Sequence, residues 1–265
     1  MPEMPGDAPP TVVHIVLLTR VPLRGGPGLG RLLDALEATP DWAPTHAGLD
    51  DPPRARYDRR ALEGAVGGLR NVVTSPGIVR RAAPRYEGFF AAQDGGTAIV
   101  RLDVAVAGDP GVARGAFALG DALADALTPE FGMVHPVWDG RDPDPRVQRY
   151  GASFVIKAKE FDRYGLGSVT ARTWLGPALA DTFGRLLGDG GLAGCLPSVR
   201  RLEWGGIEAD LASPPWEAGY EELASAQEAA IACLAPAGLF ADYSAWSKPK
   251  AGANWDGLPS PATGR

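Results

Sequence analysis

SVTARTWLGPALADTFGRLLG, residues Ser168 to Gly188, decides how this chain is read. Val169, Ala171 and Thr173 alternate with Thr170, Arg172 and Trp174, the period of a pleated strand with one face toward a core. Gly176-Pro177 ends that strand and starts a helix, because the N–H that proline lacks would find no intrahelical partner at the first helical position. Leu179, Phe183, Leu186 and Leu187 then fall on one helical face, while Asp181 and Arg185 point away and Gly188 offers a left-handed exit. A strand that turns directly into an amphipathic helix predicts layers of sheet and helix.

Upstream, VVHIVLLTRV (Val12 to Val21) has the unbroken apolar character of a central strand, and Leu29, Leu32, Leu33 and Leu36 set the face of a short helix. Pro40 to Pro53 has no period and reads as a loop, after which Asp58 caps a helix striped by Leu62, Ala65, Val66 and Leu69. RYEGFFAA and TAIVRLDVAV, split by Gln93-Asp94-Gly95-Gly96, predict an antiparallel hairpin. A helix follows over Gly111 to Leu127, and Pro136 marks GMVHPVWDG as an edge strand.

GRDPDPR (Gly140 to Arg146) is the sharpest break in composition and separates two similar halves, about 11–140 and 147–245. Beyond it we expect a strand over SFVIKAKEF, the opening strand–helix unit, a strand pair around Gly205-Gly206, a helix from Tyr220 to Leu234 and a last edge strand from Leu239 to Tyr243. The predicted fold is α+β, antiparallel or mixed sheets with amphipathic helices packed on them, in one domain over 11–245. The ends, 1–10 and 247–265, read as flexible tails.

A chain of 265 residues with 45% hydrophobic residues is large enough for a core of its own. Its 32 acidic against 26 basic residues, a formal charge of -6, exclude the basic stripe that nucleic-acid binding needs and fit a basic partner. The acidic, proline-rich start is unlike a secretion signal, and no apolar run approaches the roughly 20 residues that span a bilayer. Cys195 and Cys233 stand outside any Cys-x-x-Cys or Cys/His pattern and read as inert thiols of a reducing cytoplasm. The expectation is a cytoplasmic protein that touches no membrane.

No catalytic, cofactor or metal site stands out. The cluster Gly25, Gly26, Gly28 and Gly30 lacks the closing Lys-Ser/Thr of a phosphate loop and reads as turn chemistry. His14, His46 and His135 are too scattered for a metal, and His14 reads as a core residue bonded to backbone. Asp139, Asp142 and Asp144 lack a calcium-loop pattern and are offset by Arg141, Arg146 and Arg149. An enzymatic alternative, a hydrolase, would use His135 and Asp139 in a cleft, where titratable and aromatic groups crowd beside Trp138.

The second half carries more signal for binding another protein. Glu203, Trp204, Glu208, Asp210, Trp216 and Glu217 combine two large aromatic anchors with several carboxylates, and we expect them on loops that meet Arg or Lys of a partner. Three further segments, ALEGAVGGLRN (Ala61 to Asn71), TWLGP (Thr173 to Pro177) and LAPAGLF (Leu234 to Phe240), resemble the immunity proteins of bacterial polymorphic-toxin and type VI secretion systems, most nearly the immunity protein 52 type. The resemblance spans about residues 57–245 and leaves out the strand from Val12 and the KPKAGANW tail. It implies a non-enzymatic, cytoplasmic α+β protein that binds and neutralises a cognate toxin, and it transfers no active-site residue. The other non-enzymatic alternative is a structural subunit of a secretion machine.

Overall fold

The apolar run from Val12 becomes the middle of one sheet. The computed structural model describes residues 9–69, 75–91, 97–138, 158–188, 191–242 and 249–256. Its strands are β1 (Val12–Thr19), β2 (His46–Gly48), β3 (Gly77–Arg80), β4 (Arg85–Ala91), β5 (Ala98–Ala105), β6 (Phe131–Val137), β7 (Arg172–Leu175), β8 (Ser198–Arg201) and β9 (Ile207–Asp210). They form a nine-stranded sheet in the order β2-β3-β4-β5-β1-β6-β7-β9-β8. Every neighbouring pair is antiparallel. The two sequence halves therefore share one sheet, to which the first gives six of the described strands and the second three. The fold is α+β.

The described helices are α1 (Pro27–Glu37), α2 (Arg59–Gly67), α3 (Pro110–Leu127), α4 (Ala158–Tyr164), α5 (Pro177–Leu187) and α6 (Tyr220–Leu234). Proline opens α1, α3 and α5, where its missing N–H costs nothing. Asp58 caps α2 by accepting the Ala61 N–H, and Asp109 caps α3 by accepting those of Gly111 and Val112.

Strand alternation puts successive β6 side chains on opposite faces, and the helices sort accordingly. Gly120 of α3 lies against Val134, so α3, with α1 beside it, covers one face. Phe161 of α4 meets Phe131, which puts α4 on the other, with ring centroids 5.8 Å apart. Gln227 of α6 donates to Ser168 Oγ and the Val169 carbonyl, holding α6 to the chain entering β7. Strands β6, β7 and β9 are consequently buried almost throughout.

That double cover corrects the reading of residues 169–174 as a half-buried strand: ladder pairing begins only at Arg172, and all of β7 is buried. Helix α5 starts at Pro177 as expected, and Leu179, Phe183 and Leu187 keep its apolar stripe on the core, but Leu186 falls outside it at 41% exposed. Pro136 marks no edge. It pairs with Val13 on β1, while β7 pairs only as far as Val134, so the absent N–H falls where the neighbouring ladder has already ended.

Pro40–Pro53, expected as a loop, contains β2 and a 3-10 turn at Pro40–Trp42. Residues 158–161 of the expected SFVIKAKEF strand are helical, and its beginning lies outside the described residues, as do GRDPDPR and the Gln93–Gly96 turn. Of the expected strand Leu239–Tyr243, Tyr243 lies outside the described residues, and 239–242 contribute isolated bridges, Leu166 to Phe240 and Asp242 to Lys250. The described part of the tail, 249–256, is anchored: Trp255 is buried against Phe161 and its indole N–H donates to the Asp162 carbonyl.

Cys195 and Cys233, expected as free thiols, form a disulfide with a Cα–Cα distance of 5.5 Å. The bond ties the 3-10 turn at Gly191–Gly194 to α6. Spacing of 38 residues gave no hint of it, because pairing depends on the tertiary approach of two segments.

Candidate functional site

Arg172 gathers the polar residues of the second half around itself. Alternation along β7 turns it, with Trp174, toward α3, and the register sets Asp210 opposite Arg172 and Glu208 opposite Trp174. A charge in a strand covered on both faces requires counter-charges with good geometry. Arg172 Nε and Nη2 donate to the two Asp210 oxygens, each at 2.8 Å. Its Nη1 donates to both oxygens of Asp121 on α3, at 2.9 and 2.8 Å. Glu208 stands 3.8 Å from Nη2 and accepts a 2.8 Å hydrogen bond from Arg200 of β8. Two guanidinium groups against three carboxylates leave the cluster with one net negative charge.

Burial alone would weaken the Arg172 charge. The hydrogen bonds to Asp210 and the charges of Asp121, Asp210 and Glu208 reverse that and raise its pKa. Burial pushes Asp121 up to about 6, with Glu208 adding to the rise and Arg172 opposing it.

The chain leaving β9 folds back over this cluster. Trp216 meets Phe117 of α3 edge-on at 5.8 Å, and the Arg172 guanidinium lies 5.7 Å from the Phe117 ring and 6.0 Å from the Trp216 ring. Two aromatic faces therefore close over a cation whose in-plane donors are taken by carboxylates. Trp204, in the β8–β9 turn, donates from Nε1 to Asp125 Oδ1 at 3.2 Å, one helical turn beyond Asp121.

The six residues expected on partner-facing loops thus divide. Glu203 and Trp204 lie in the β8–β9 turn and Trp216 and Glu217 in the loop after β9; both glutamates are exposed and both tryptophans half-buried. Glu208 and Asp210 are not on loops. They are buried in β9, with their charges turned to Arg200 and Arg172. Sequence reasoning overlooked Arg172, Asp121 and Phe117, although a lone arginine between Ala171 and Trp174 in a buried strand is itself a demand for a carboxylate.

The fold is shared with a solved protein. The Pseudomonas aeruginosa T6SS protein PA0821 superposes with a TM-score of 0.56 at 13% sequence identity, over 89% of this chain and 76% of that one. No protein-family model matches the chain, and no curated protein matches it. At this identity, the likeness is one of fold alone.

The remaining candidates settle into structural roles. His135 is buried, its Nδ1 accepts the Ala171 N–H at 3.2 Å, and burial pushes its pKa down to about 3, with a smaller contribution from His14. It lines neither the groove beside Trp138 and Trp216 nor the one beside Arg80, Arg85 and Glu87, and Asp139 lies outside the described residues. His14, expected to bond backbone, instead meets the Asp103 carboxylate, which Arg101 also holds. Burial would raise the pKa of Asp103; the bonds to His14 and Arg101 outweigh it and lower the value. A Cβ on Gly28 would stand 2.5 Å from the Pro22 carbonyl, so this glycine permits close packing of the loop. No helix among the described residues is long and apolar enough to cross a membrane.

Proposed function

We propose that this protein is an immunity protein of a type VI secretion system, binding and neutralising a cognate toxin without catalysis. The observation that carries the reading is the fold shared with the Pseudomonas aeruginosa T6SS protein over most of both chains. The immunity assignment within that setting rests on the sequence resemblance to immunity protein 52. The surplus of six acidic charges fits a basic toxin, whose substrate path would complement an acidic surface. Glu203, Trp204, Trp216 and Glu217 are the residues that present themselves to such a partner. Glu208 and Asp210 act behind them by fixing Arg172 under Trp216.

A disulfide persists where the surroundings are oxidising. With Cys195 joined to Cys233, we take the compartment protected to be an oxidising one rather than the cytoplasm that the cysteine spacing suggested.

Co-expression with the product of the adjacent gene tests the function. Cells carrying that product should survive only with this protein, and the two should be captured together. Unprotected cells and no complex would overturn the immunity reading.

A further inference from the structure

We infer that the groove beside Trp216 is a receptor for an arginine side chain. It measures about 420 Å³ and lies where the first half of the chain, through Pro10 and Pro110, meets the loop after β9. Trp138 and Trp216 line it, and among the described residues the charged ones lining it, Asp109 and Glu217, are both acidic.

Both indoles are held from behind. Trp138 meets Tyr220 edge-on at 5.5 Å, and Trp216 rests on Phe117 at 5.8 Å. Rings fixed in this way need not be ordered by a ligand, which lowers the entropic cost of binding. Arg172 lies behind Trp216, where its charge is met by Asp210 and Asp121. Asp109 Oδ1 is engaged at the start of α3, accepting the Gly111 and Val112 N–H groups. Glu217 is exposed at the rim.

This combination suits one side-chain chemistry. Apolar walls accept a three-carbon stem, indole faces attract a flat cation, and a rim carboxylate receives its N–H donors. Arginine supplies all three. Lysine, a compact and strongly hydrated charge, gains less from a flat ring. An acidic or neutral side chain would meet Asp109 and Glu217 without compensation. That the arginine belongs to the toxin rests on the proposed function; the preference of the groove for a guanidinium does not.

The experiment uses the full chain and two probes, acetyl-Gly-Arg-Gly-amide and its citrulline counterpart, which keeps the shape and hydrogen bonding but loses the charge. Two-dimensional NMR of the tryptophan indole N–H groups reports binding. The arginine peptide should shift the Trp138 and Trp216 signals saturably, with the citrulline peptide at least about tenfold weaker. Glu217→Gln should weaken the arginine peptide by roughly threefold or more while leaving the spectrum otherwise native. Trp216→Phe keeps an aromatic wall and should bind more weakly without unfolding. Equal affinity for the two peptides, or no shift of either indole, would overturn the proposal. Arginine binding in a strain that still dies would sink the immunity reading alone, whereas protected cells with a groove indifferent to charge would sink the groove alone.

Discussion

Arg172 and Asp210 face each other across β7 and β9 and meet at two points, Nε to Oδ1 and Nη2 to Oδ2, both at 2.8 Å. Each residue is under a tenth exposed, so truncating either leaves the other charged without water. Arg172→Ala and Asp210→Ala should each cost ~3–5 kcal/mol in urea unfolding. Because both remove the same contact, the double variant should lose less than the sum, by ~0.5–3 kcal/mol. Strict additivity would mean that the two side chains do not act as a pair.

Local signals made the helices and turns legible and left this cluster hidden. The proline and leucine pattern at Pro177 and the capping aspartate at Asp58 announce their helices, because both effects act within one turn of chain. Gly205, with φ of +88°, likewise marks the β8–β9 turn. The pairing of Arg172 with Asp121 joins residues 51 positions apart, and no spacing rule reaches that far. Pro136 misled for a related reason: proline excludes one hydrogen bond, but only the sheet order decides whether a neighbour would have made it. Glu208 and Asp210 look like surface charge in sequence, and only the covering helix α3 shows that they face inward.

Two titratable groups, the buried His135 and the half-buried Asp121, should oppose each other as pH changes. His135 titrates near 6.5 when unfolded and at about 3 in the fold, so the unfolded chain holds the extra proton between these values. Its contribution is complete above about pH 6.5 and declines as pH falls toward 3. Asp121 does the reverse. With its pKa raised from 3.8 to about 6, its contribution is present below about pH 4 and lost as pH rises through 6. Solvent reaches a third of the Asp121 side chain and makes its share the smaller one. Asp121→Asn should therefore steepen the rise of stability between pH 4 and 6, toward a limit of ~1.4 kcal/mol per pH unit. His135→Asn, which retains an acceptor for the Ala171 N–H, should flatten or reverse it. Unfolding curves that run parallel to the parent's across this range would contradict both assignments.

The Cys195–Cys233 disulfide closes a separation of 38 residues and fastens α6 to the turn before β8. Restricting the unfolded chain over a loop of that size contributes ~3–4 kcal/mol in the chain-entropy picture. The Cys195→Ala, Cys233→Ala double variant should melt at a lower temperature, and reductant should lower the melting temperature of the parent but not of the variant. Identical melting of the parent with and without reductant would show that the two sulfurs are not joined.

Helix α3 rests on the sheet through the bare face of Gly120, and this contact places Asp121 against Arg172. A Cβ there would stand 2.6 Å from Val134 Cγ2 and 2.8 Å from the Trp174 ring. Alanine is the better helix former by ~1 kcal/mol. Crowding two buried side chains costs ~1–3 kcal/mol, and the helix can relieve it only by moving outward. Gly120→Ala should on balance destabilise the protein and lengthen the Asp121–Arg172 contact, so that pH 4–6 unfolding approaches the behaviour of Asp121→Asn. Gly184 in α5 provides the control, because it is exposed and a Cβ there meets nothing within 4 Å. Gly184→Ala should stabilise by ~0.5–1 kcal/mol. Opposite signs for the two substitutions follow only if α3 is seated directly on Val134 and Trp174; a stabilising Gly120→Ala would mean that a gap separates them and that Asp121 reaches Arg172 by some other route.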